Sequence, residues 1–82
     1  MSAEQDAMAI TGDQCKAARK LLSWTMGDLS HAVRLSEMDI ARFEAGKLGM
    51  SFIGTALIRR ALEQAGVEFI SAPPSARLRG RT

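Results

Sequence analysis

Two helix-opening signals, Thr25 and Ser36, leave room between them for one short helix and a joint made only of Arg34 and Leu35. A joint that short cannot fold two helices back antiparallel, so the helices on either side must cross at a steep angle. The first of them opens at Thr25, with Asp28 in the first turn where a carboxylate suits the positive end of the helix dipole, and runs to about Val33. Leu29, Ala32 and Val33 form its apolar face. The second opens on Ser36-Glu37-Met38-Asp39, a cap followed by an acid three residues on, and spans about 36–45 with Gly46 placed to stop it. Ile40 and Phe43 point inward.

Two further helices frame this pair. Thr11-Gly12-Asp13-Gln14 reads as a capping box, after which Cys15, Ala18 and Leu22 share one face. Cys15 is therefore read as a core residue. The last helix is capped by Ser51, carries Ile53, Leu57, Ile58, Ala61, Leu62 and Ala65 toward the core, and stops at Gly66. Val67-Glu68-Phe69-Ile70 then forms a short β-prone run, which either packs back on the domain or pairs with a copy of itself. The expected fold is all-α: a compact four-helix domain over 11–70, with this run as a short C-terminal β-strand at a dimer interface. Residues 1–10 and 71–82 are expected to be flexible tails, the second one basic through Arg77, Arg79 and Arg81.

The chain has 82 residues and a formal charge of +2, enough for one small domain. The clustered C-terminal arginines make nucleic acid the first partner to consider. A single cysteine rules out an intramolecular disulfide and a cysteine-rich zinc site, and no leader pattern or long apolar run is seen, so a cytoplasmic, non-membrane protein is expected. His31 is the only histidine, and no nucleophile-base spacing, glycine-rich phosphate loop or metal-ligand cluster accompanies it. No enzyme activity, cofactor or metal is expected.

From Met26 to Gly46 the chain resembles the helix-turn-helix of the XRE family, which contains phage repressors and Cro. Leu29 and Ser30, Leu35-Ser36, and Ile40, Phe43, Glu44 and Gly46 match the family pattern, and the likeness extends back to Arg19 and on to Phe69. The resemblance implies a sequence-specific regulator of transcription, most naturally a repressor, that binds double-stranded DNA with the 36–45 helix in the major groove. It implies base reading by Glu37, Met38 and Arg42, with Asp39 and Ser36 secondary. Phosphate contacts would come from Thr25, Met26, Arg34 and Lys47. It also implies a structural ion pair of Arg19 with Glu44, and a homodimer for which Val67, Phe69 and Ile70 are candidates. The chain departs from the pattern in three ways: Met26 stands where glutamine is usual, Arg34 replaces a turn glycine, and the recognition segment sets Glu37, Asp39 and Glu44 against Arg42 alone. Met26 and the acidic recognition segment favour the alternative of a protein-interaction adaptor or antitoxin-like module that keeps the fold without specific DNA readout, whereas the cost of Arg34 is tolerable.

Overall fold

The computed structural model describes residues 10–47, 50–71 and 73–80. Most of the expected tail at 1–10, and Arg81, lie outside the described residues. Helices α1 (Gly12–Leu22), α2 (Met26–Val33), α3 (Glu37–Glu44) and α4 (Phe52–Gln64) are followed by strands β1 (Val67–Ser71) and β2 (Pro74–Leu78). The fold is α+β, which corrects the all-α expectation.

Local chemistry accounts for the helix boundaries. Thr11 and Thr25 both close reciprocal capping boxes, with Gln14 and Asp28 respectively, and the Ser36 and Ser51 hydroxyls accept from the Asp39 and Gly54 amides. Arg34 ends α2 in the left-handed region at φ 62, the conformation that glycine adopts without strain. The joint between α2 and α3 is closed by the Ser30 hydroxyl, which donates to the Leu35 carbonyl. Ser30 is thus a bridging group as well as a small one.

The second strand comes from the segment expected to be a basic tail. β1 and β2 pair antiparallel, Val67 with Leu78 through Ser71 with Pro74, so the run at 67–70 finds its partner inside the chain. Pro74 is tolerated because it opens its strand at the turn. Three further contacts fix the hairpin. The Gln14 amide nitrogen donates to the carbonyls of Ile70 (2.9 Å) and Ser75 (3.0 Å), while Arg77 pairs with Glu68 across the strands at 2.9 Å. Arg79 donates from its backbone to the Gly66 carbonyl and from its guanidinium to the Glu63 carbonyl, which also accepts from the Gly66 amide, so the strand end is tied to the α4 C-terminus.

The core is built from Ile10, Cys15, Ala18, Leu29, Val33, Ile40, Ile58, Leu62 and Val67. Three residues read as inward-facing are exposed. Ala32 on α2 lies at the surface beside the buried Val33, and Ile53 is 70% exposed and Leu57 44%, because α4 turns Ile58 and Leu62 inward and leaves the stripe that starts at Phe52 facing out.

Candidate nucleic-acid interface

The anchor of the site is buried. The Arg19 guanidinium meets the Glu44 carboxylate in a bidentate contact, Nε to Oε2 at 2.7 Å and Nη2 to Oε1 at 2.8 Å, and its Nη1 donates to the Trp24 carbonyl at 3.1 Å. The side chains are only 10% and 4% exposed. The Cys15 thiol adds a fourth contact, donating to Glu44 Oε2 at 3.3 Å. This network ties the end of α3 to α1 and to the α1–α2 connection, so the orientation of α3 is set by charge-assisted bonds as well as by packing.

Burial, with the Glu44 carboxylate beside it, pushes the Cys15 thiol far above the ordinary thiol range, and the Glu44 hydrogen bond raises the Arg19 guanidinium from its already high value. Cys15 therefore stays a protonated donor. Its folded value is raised, so the stability linked to it is complete below the ordinary thiol value of 9.0 and is lost as pH rises beyond that, once the unfolded chain sheds a proton that the folded chain keeps. Between roughly pH 9 and 10 the unfolding free energy should fall by up to about 1.4 kcal/mol per unit. Urea titrations across that range check the slope, which Cys15→Ala should remove.

With Glu44 buried against Arg19, the exposed charge of the 36–45 segment falls to Glu37 and Asp39 against Arg42, so the segment itself stays acidic. Only with the flanking Arg34 and Lys47, both exposed, does the surround hold three bases to two acids. Met38, 64% exposed, shares a helical face with Arg42 one turn later. Ser36 is exposed, but its hydroxyl is committed to the cap of α3. Arg34 precedes that cap and Lys47 follows the helix, its amide donating to the Arg42 carbonyl at 3.0 Å. Cationic groups thus stand at both ends of the exposed α3 face.

The phosphate contacts expected from the start of α2 meet three obstacles. Met26 packs its side chain against the core, leaving only its backbone for a ligand, and the Thr25 hydroxyl is held by the Asp28 amide at 3.0 Å. The Glu37 carboxylate already lies over this turn: a methyl group on Gly27 would stand 3.1 Å from Glu37 Oε2. An anion of the chain's own occupies space that a phosphate would approach.

Among the described residues, no group of three or more His, Cys, Asp or Glu side chains is arranged to hold a metal, and no helix is long and apolar enough to cross a membrane. Val67 is wholly buried and Phe69 lies under Arg59, whose guanidinium carbon is 5.8 Å from the ring centroid. Ile70 is half-buried and paired with Ser75. The three dimer candidates are therefore spent on intramolecular packing and pairing, which corrects their assignment to a free strand. Comparison with protein-family models, curated proteins and solved structures gives no match.

Proposed function

We propose that this protein binds double-stranded DNA as a sequence-specific regulator of transcription in the cytoplasm, with α3 in the major groove. The observation that carries the reading is the buried Arg19–Glu44 network, which fixes α3 while leaving Glu37, Met38, Asp39 and Arg42 exposed between Arg34 and Lys47. In the groove, Arg42 suits the O6 and N7 acceptors of guanine, Glu37 accepts from a cytosine amino group, and Met38 touches a thymine methyl. Arg34 and Lys47 hold the backbone on either side. Two copies on an inverted repeat double these contacts, and a homodimer is part of the proposal.

The experiment is enrichment of genomic fragments by wild type and Arg42→Ala in parallel. Wild type should recover a common motif, and the variant should lose about 1–3 kcal/mol at one base-pair position and relax selectivity there. Enrichment of nothing by either protein defeats the reading.

The inward turn of Met26 and the carboxylate over Gly27 favour a second reading, a module whose α3 face binds a protein instead of DNA. Salt dependence separates the two. Phosphate neutralisation gives a steep linear fall of log affinity with log salt concentration, which a protein contact dominated by Met38 does not reproduce.

A further inference from the structure

We infer that the groove between the end of α2 and α4 docks an acidic amphipathic helix of another protein, in competition with duplex DNA. Ala32, Leu35, Leu57 and Ala61 give this groove of about 520 Å³ its apolar lining, and Arg34 and Arg60 are the charged residues that line it among those described. Both arginines are exposed, and neither makes an ion pair among the described residues. A second groove, toward Phe52 and Ile53, differs: Glu63 lines it and pairs with Arg59 at 2.8 Å, so that side of α4 supplies its own carboxylate. Apolar side chains beside two cations that lack a carboxylate of their own suit a ligand that brings both an apolar anchor and acids.

The walls indicate the form of the partner. They are helices and the joint after α2, and among the described residues no strand lines the groove, so an extended segment would find no main-chain edge to pair with. A helix instead presents an aliphatic side chain with acids three and four residues away on the same face, which sets one anchor against Leu57 and turns carboxylates toward Arg34 and Arg60. Such a contact belongs to the small, transient class of interfaces and does not need the area of a stable dimer. Arg34 is also one of the two cations proposed to hold the DNA backbone, so a partner that occupies it withdraws a phosphate contact. That coupling rests on the duplex-binding reading; the docking itself does not.

The experiment selects binders to the full chain from a displayed library of random helical peptides, then titrates the enriched peptides by fluorescence anisotropy. Enriched sequences should place glutamate or aspartate three or four positions from an aliphatic residue and bind at roughly tens of micromolar or tighter in about 50 mM salt. Arg60→Glu should weaken them at least about fivefold, a loss that shrinks at about 0.5 M salt because a rim charge acts through a screened attraction. Leu57→Ala should weaken them at every salt concentration, whereas Ile53→Asp, which lines the other groove and not this one, should leave them unchanged. All three side chains are exposed, so the helical circular dichroism should match that of wild type. Enriched peptides without acids, an affinity indifferent to Arg60→Glu, or a loss caused by Ile53→Asp would each overturn the assignment. So would a library that yields no binder, with Arg60→Glu instead abolishing self-association or binding to phosphatidylglycerol vesicles, which gives the groove to a second copy or a lipid surface. An enriched peptide should displace the duplex fragments that the protein recovers, and a complex holding both at once would overturn the competition. If no duplex is bound, the DNA reading falls and the peptide groove stands.

Discussion

Replacing Glu44 with alanine should remove about 3–5 kcal/mol of stability, the cost of stranding one partner of a buried ion pair. A domain of this length has on the order of 4–12 kcal/mol in total, so the loss takes at least about a quarter of its stability. Arg19 would keep only the Trp24 carbonyl, and Cys15 would lose its acceptor. The companion substitution is more informative. In Arg19→Met with Glu44→Leu, both charges leave together, and stability should return to within about 1–2 kcal/mol of wild type, since buried pairs are often replaceable by apolar side chains of similar volume. Urea unfolding of the two single variants and the double gives the coupling directly. A cost below about 1 kcal/mol for Glu44→Ala would be that of an exposed pair, and would sink the view that this contact anchors α3.

Gly12→Ala should destabilise by about 2–4 kcal/mol, although glycine to alanine within a helix ordinarily gains roughly 0.5–1 kcal/mol. The sign reverses because α1 begins against the end of α3. A β-carbon on Gly12 would lie 2.1 Å from the Phe43 carbonyl oxygen and 2.8 Å from the Glu44 α-carbon. Both obstacles are backbone, so no side-chain rotation relieves the clash. Either the α1 capping box opens or the end of α3 moves, and the second displaces the Glu44 carboxylate from Arg19. Thermal unfolding reads the effect, at about 4–8 °C per kcal/mol for a domain of this size. A rise in melting temperature would mean that the helices do not approach this closely in solution.

Much of this architecture was legible in the residues because it is local. The caps at Thr11, Thr25, Ser36 and Ser51 act on amides three residues away, so their partners are visible in the sequence itself. Period and capping place α1 to α4 within a residue or two, and bring Cys15, Ala18, Leu29, Val33 and Ile40 to the core. The pairing of Arg19 with Glu44 entered through family resemblance, and the bidentate geometry and the Cys15 contact are additions from the structure.

The hairpin was missed because its signals are weak and split. Pro73 and Pro74 read as an end to structure, and Arg77 and Arg79 as a solvated tail. The one available cue was the alternation Ser75-Ala76-Arg77-Leu78, whose arginine stands opposite Glu68 once the strands are aligned. Gln14 was read only as half of a capping box. Its amide nitrogen completes the hairpin through partners more than fifty positions away, which no short-range pattern specifies.

Helix positions, their caps and the short joint at Arg34 and Leu35 were determined by the sequence alone, since each depends on side chains acting on backbone within a turn or two. Tertiary structure decided which apolar residues of α4 are buried, because Ile53 and Ile58 are equally hydrophobic and only the placement of α1, α2 and β1 distinguishes their faces. It also decided the charge of the candidate DNA face. Glu44 counts as an acid in any reading of the chain, but a guanidinium from another helix removes it from the surface, and that depends on long-range geometry.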